Sequence, residues 1–184
     1  MSEATRLLEA VQRGDRRAAA ELLPLVYDEL RKLAAARMSA EVPDHSLSAT
    51  ALVHEAYLRL VGPADDARWD GRGHFFAAAA VAMRRILVNH ARDRKRLKRG
   101  GGRARLELLD HAGSLAEDPD LVLSLDELLA RLEAEDPAAA RIAQLHLFGG
   151  LSIEEAGEAM GASRAVAYRN WKYARAWLRE ALSE

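Results

Sequence analysis

The stretch LSIEEAGEAMGASRAVAYRNWKYARAWL, Leu151 to Leu178, leaves few folds open to the chain around it. Ser152 followed by Glu155 is a capping box and starts a helix. Ile153, Ala156 and Met160 mark one apolar side of that helix, and Gly161 breaks it. Ser163 is placed to cap a second helix. Ala167, Trp171, Ala174 and Leu178 follow at spacings of three and four, which makes one buried stripe. Arg164, Tyr168, Arg169 and Lys172 fall mostly on other faces, and no acid occurs between Gly161 and Arg179. Two short helices, a glycine turn and a basic outer face fit a helix-turn-helix that presents its second helix to a DNA major groove. An ordinary helical hairpin with a solvated basic side fits the same spacing.

A chain of 184 residues forms one domain or two small ones. Few aromatics and abundant Ala and Leu favour an all-α fold. The formal net charge is only -1, so the distribution of charge carries more information than its sum. The chain has no cysteine, which excludes disulfides and thiolate metal sites. MSEATRLLEAVQRGD has early acids and no long apolar core, unlike a secretory signal. FFAAAAVAM is too short to span a membrane. A cytoplasmic protein with no membrane insertion is the expectation.

Apolar spacing predicts helices over Thr5 to Val11, Arg16 to Met38, Ser48 to Leu60 and Phe75 to about Lys95, with Pro24 fixing the first turn of the second. The fourth is apolar nearly all round as far as Met83 and then turns basic. MRRILVNHARDRKRLKRGGGRAR holds ten Arg and Lys residues against one acid, Asp93. On this helix Arg84, Arg85, Arg92, Arg94 and Lys95 can face phosphates, which give affinity and placement without sequence information. Just ahead lie Trp69, His74, Phe75 and Phe76. A flat ring beside a basic helix is what an unstacked DNA strand needs. Phe75 and Phe76, at a helix start, read as core; Trp69, in a polar loop, is the better stacking candidate.

From Leu106 to Asp136 the sign reverses, and Arg131 is the only Arg or Lys. HAGSLAEDPD reads as a tether, so two helical domains are expected, over 5–97 and 125–182, joined by a flexible linker at 98–124. Helices are expected at Leu121 to Leu132 and from Pro137 through Leu147. None of the six histidines forms a metal-binding pattern, the glycines at 100–102 lack the lysine-serine ending of a phosphate loop, and no nucleophile-base set stands out. No cofactor, metal or catalytic residue is expected.

SATALVHEAYLRL, GHFFAAAAVAMRRILVNHARDRKR and the Leu151–Leu178 stretch, in this order and at this separation, resemble a bacterial RNA polymerase sigma factor of the extracytoplasmic-function (ECF) type. The resemblance covers most of the chain. It implies that 5–97 docks on core RNA polymerase and recognises and melts the -10 promoter element. It also implies that 125–182 reads the -35 element and that the linker passes near the RNA exit path. The third helix resembles the helix that packs on the clamp of the largest subunits, which puts Val53, Glu55, Leu58 and Arg59 at or near that contact. Ala51 stands where many members have an acid, and His54 where they have glutamine. Arg84, Arg85, Asn89, His90 and Arg92 match the part of the family's fourth helix that faces DNA. In the recognition helix the matching positions are Arg164, Ala165, Val166, Tyr168, Arg169 and Lys172. Members commonly carry a basic residue and a threonine at the positions of Ala165 and Val166, and an apolar pair there suits a thymine methyl. An anti-sigma protein is a further partner that the resemblance allows.

Two rivals fit parts of the sequence. A free helix-turn-helix regulator would bind an operator without polymerase, but it leaves the second basic region and its aromatic loop unexplained. A protein that only titrates an anti-sigma partner would not need both basic faces. An enzyme is least favoured, because no convergent catalytic set is visible.

Overall fold

The computed structural model describes residues 3–35, 47–61, 72–97 and 118–183. Their regular structure is all helical: α1 (Glu3–Gln12), α2 (Arg16–Ala35), α3 (Ala49–Val61), α4 (Arg72–Leu97), α5 (Pro119–Glu135), α6 (Pro137–Leu147), α7 (Ile153–Ala159) and α8 (Arg164–Ser183). Trp69, His45, His111 and the glycines at 100–102 lie outside the described residues, as does the span 98–117 of the expected linker. The helix expected from Leu121 begins two residues earlier, at Pro119, so α5 takes in residues 119–124.

Local chemistry sets the helix starts. Asp15 accepts from the amides of Arg17 and Ala18 at the head of α2, and Ser48 Oγ accepts from Ala51 at the head of α3. Asp118 and Asp136 cap α5 and α6, each followed by a proline whose missing N–H costs nothing in the first turn. Ser152 and Glu155 form the reciprocal capping box expected for α7, with bonds of 3.2 and 2.7 Å. Gly14 turns the chain between α1 and α2 at φ 85°, a left-handed value that an L side chain resists.

Pro24 departs from expectation: it lies well inside α2 rather than in its first turn. The ring removes one helical donor, that to the Ala20 carbonyl. Ala20 and Pro24 are both exposed, so water can meet the carbonyl left open. One residue earlier, the carbonyl of Ala19 accepts from the buried Tyr57 hydroxyl of α3, which ties the two helices together.

Burial pushes the Tyr57 hydroxyl up from 10.0 to about 12. The folded state therefore holds a proton that the unfolded chain releases earlier. The resulting stability is complete below pH 10 and is lost as pH rises through about 12. Tyr57→Phe is expected to cost about 1 kcal/mol at neutral pH, from the hydrogen bond lost, and to flatten the fall above pH 10. Urea midpoints measured across that range test both parts.

The helices form two clusters, α1–α4 and α5–α8, and α4 belongs to the seam between them. It packs on α3 and also on α5, α6 and α7. A continuous core runs from Leu22, Val26 and Leu30 of α2 through Phe75, Met83 and Leu87 of α4 to Leu121, Leu125 and Leu129 of α5. A second core joins Ala77 and Ala80 of α4 to Ile142, Leu145, Leu151 and Ala167. The all-round apolar character of FFAAAAVAM follows from this: a helix covered on both sides has no face to give to water.

Candidate nucleic-acid and protein interfaces

Three surfaces carry the residues expected to act. On α3, Glu55, Leu58 and Arg59 share the outward side. Leu58 is 67% exposed, and Glu55 and Arg59 pair with each other at 2.6 Å. Val53 points the other way and is fully buried among the core residues. In this arrangement it holds the helix in place rather than offering a contact.

On α4, Arg85, Asn89 and Arg92 are exposed and His90 is half-buried. Arg84 is different. Its side chain is only 14% exposed, and all three guanidinium nitrogens are engaged. Nε donates to Asp126 Oδ1 at 2.8 Å, Nη2 to the Asp126 carbonyl at 3.0 Å, and Nη1 to Gln144 Oε1 at 2.8 Å. The ring of Phe148 lies 5.6 Å beneath it. Gln144 is itself buried. Two further ion pairs run along the same side of α4, Arg92 to Asp126 at 3.9 Å and Lys95 to Asp120 at 3.0 Å. Positions 84, 92 and 95 fall within about a quarter-turn of one another at 3.6 residues per turn, so they make one basic strip, and acids of α5 lie on it. No pattern within the α4 segment announces Asp126 or Gln144 as its partners. The only sequence signal is the change of sign after residue 105.

On the α7–α8 unit, Ala167, Ala174 and Leu178 are buried as the spacing requires, while Trp171 is half-buried with its ring 4.6 Å from that of His146. His146 in turn bonds the Leu151 carbonyl through Nδ1 at 2.7 Å. Trp177 Nε1 donates to Glu135 at 3.0 Å and so ties the far end of α8 to α5. Gly157 lets α7 lie close on α8, because a Cβ there would meet Ala167 Cβ at 2.8 Å. The opposite side of α8 is open: Arg164, Ala165, Tyr168, Arg169 and Lys172 are exposed and Val166 is half-buried.

Glu154 of α7 reaches two of these residues. It accepts from the Tyr168 hydroxyl at 2.6 Å and pairs with Arg164 at 3.2 Å. The bond to Tyr168 holds the Glu154 carboxyl below its usual range, with Arg164 adding to the effect, and the same bond pushes the Tyr168 hydroxyl up. These groups are open to solvent, so a phosphate can replace the carboxylate at little cost.

Among the described residues no group of His, Asp and Glu could hold a metal ion, and no helix is long and apolar enough to cross a membrane. The surfaces among the described residues are one exposed apolar-and-charged strip on α3 and basic faces on α4 and α8. No curated protein and no solved structure matches the chain. The family model described as ECF sigma factor matches residues 1–184. With that match over the whole length of an all-helical fold, the chain belongs to the ECF sigma factors, which act in transcription initiation and are not enzymes.

Proposed function

We propose that the chain docks on core RNA polymerase through α3, contacts and helps to melt the -10 element through α4 and the segment before it, and reads the -35 element through α8. In this reading α7 and α8 are a helix-turn-helix, with α8 in the major groove. The observation that carries it is the division of α8 into a side sealed by Ala167, Ala174 and Leu178 and an open side that holds Arg169 and Lys172 and bears no acid of its own before Glu180. A solvated face of an ordinary hairpin has no reason to exclude acids over that length. The exposed Leu58 between Glu55 and Arg59 supports α3 as the docking surface, since it is the most exposed large apolar side chain among the described residues.

Purified chain and core polymerase, incubated at micromolar concentrations with a promoter library, test the whole reading. A stable complex that selects a two-box sequence is expected. No complex would favour a free regulator that binds an operator alone.

Within this reading the two cations of α8 do different work. Arg169 can bridge two acceptors of a guanine, whereas Lys172, about a turn further along, meets phosphate. Arg169→Ala is expected to cost about 1–3 kcal/mol and to relax preference at one or two upstream base pairs. Lys172→Ala is expected to weaken all promoters alike and to lower the salt slope by about one unit. Titrations of the reconstituted holoenzyme on upstream-box variants at several salt concentrations separate the two. If Lys172→Ala reorders the variants and Arg169→Ala does not, the docking of α8 is wrong.

A further inference from the structure

We infer that Glu154 sets the hydrogen-bonding polarity of Tyr168. It takes up the hydroxyl proton and leaves Tyr168 an acceptor only, so that α8 selects adenine or cytosine, whose exocyclic amino groups donate, over thymine or guanine at one position of the upstream box. The inference deepens the proposed reading of α8 as the helix that enters the major groove, and rests on it.

The packing of α7 on α8 brings the groups together. Gly161, at φ 66°, turns the chain between the two helices, and the missing side chain of Gly157 lets α7 settle against Ala167. Ser163 Oγ accepts from the Val166 amide at 3.4 Å at the head of α8. Arg164 and Tyr168 stand four residues apart, on one side of that helix. Glu154 Oε1 meets both, the Tyr168 hydroxyl at 2.6 Å and Arg164 Nη2 at 3.2 Å. The Arg164 guanidinium also lies 5.6 Å from the centroid of the Tyr168 ring. Three side chains thus close into one triangle at the first turns of α8.

The direction of the proton follows from the chemistry. A carboxylate only accepts. The bond between the two groups holds Glu154 below its usual range and pushes the Tyr168 hydroxyl up, so at neutral pH the shared proton is the tyrosine's. A separation of 2.6 Å is that of a charge-assisted O–H···O⁻ bond. Arg164 acts on the hydroxyl in the opposite sense and more weakly; as a donor it uses one lone pair and leaves the other. An exposed pair of this kind adds little to folding stability, but what it fixes is a rotor. A free tyrosine hydroxyl turns to donate or to accept as its partner requires, whereas this one has only a lone pair to offer.

That lone pair decides the partner. A phosphate has no proton to give, and the charge of Glu154 beside the hydroxyl repels it. In the major groove the donors are the N6 amino group of adenine and the N4 amino group of cytosine, while thymine O4 and guanine O6 and N7 only accept. Arg164 is the member of the triangle suited to phosphate. Its side chain is 76% exposed and engages Glu154 through Nη2, so its other N–H groups can take a backbone oxygen without releasing the carboxylate. Phosphate at Arg164 and an amino group at Tyr168 are therefore compatible.

Binding of the reconstituted holoenzyme to promoters carrying each base at each position of the upstream box tests the inference. At one position the wild type is expected to favour adenine and cytosine over thymine and guanine by about fivefold, the worth of one hydrogen bond. Unsubstituted purine in place of adenine there lacks only the amino group and should lose the same factor. Tyr168→Phe should abolish the preference and be indifferent to the purine. Glu154→Ala keeps the hydroxyl but frees its proton, so the ratio of amino to keto bases should fall to about one while overall affinity is kept or rises. A wild type insensitive to the purine would overturn the inference. So would a Glu154→Ala protein that gains affinity for every base with its ratio unchanged, since a phosphate would then be displacing the carboxylate. The purine substitution is made in the DNA alone and decides the matter even if a variant folds poorly. A holoenzyme with no base preference anywhere in the upstream box would instead remove the reading of α8 on which the inference rests.

Discussion

Phe75→Ala is expected to cost about 3–5 kcal/mol of stability, the range for removing a large aromatic side chain from a packed core. Phe75 is fully buried near the start of α4 and meets Phe76 edge-on, with ring centroids 5.5 Å apart. Its loss leaves a cavity at the end of the helix that both clusters share, and α4 cannot collapse into it without dragging both. For a chain of this size each kcal/mol moves the melting temperature by about 2–4 °C, so a fall of roughly 6–20 °C should be seen by circular dichroism. If stability stays near the wild-type value while promoter opening fails, Phe75 is a stacking residue and its burial here is not its working environment.

The same residue illustrates what the sequence makes legible. A helix-start aromatic pair reads as core from position alone, and Phe75 and Phe76 are core. The cap at Ser152 is equally local, because its partner lies three residues away. Helix type and order follow from spacing for the same reason. Pro24 is misjudged because a proline is tolerated mid-helix only when the opened carbonyl faces water, and that depends on which side of α2 the core takes. Arg84 marks the larger gap. Periodicity puts it on the basic face of α4, but Asp126 and Gln144 stand 42 and 60 residues away, and nothing in a helical repeat pairs residues at such distances. The apolar girth of FFAAAAVAM did carry the information that α4 is covered on both sides; a two-domain reading has no use for it. Family resemblance names Val53 as a contact because it aligns positions without regard to which way each side chain points in this chain.

That difference between Val53 and its neighbour gives the sharpest test of the α3 surface. Leu58→Asp is expected to weaken the complex with core polymerase by at least about 30-fold, corresponding to the roughly 2 kcal/mol that marks an anchor residue, and to leave the fold of the free chain unchanged. The reason is exposure: at 67% exposed, Leu58 has little packing to lose within the chain, so whatever it contributes is contributed to a partner. A carboxylate in its place would have to be stripped of water under the clamp, beside the acid of Glu55, which adds to the loss. Val53→Ala should do the reverse. Removing two buried carbons at a fully buried position costs about 2 kcal/mol of folding stability, while the outward strip of Glu55, Leu58 and Arg59 stays as it was. Polymerase affinity measured well below the melting transition should then be near that of the wild type. Titration of both variants against core enzyme, alongside their denaturant midpoints, gives a crossed pattern if α3 docks by its outer side. If Val53→Ala weakens the complex at full foldedness and Leu58→Asp does not, polymerase meets the side of α3 that is buried here, and docking itself would have to pull α3 from its core.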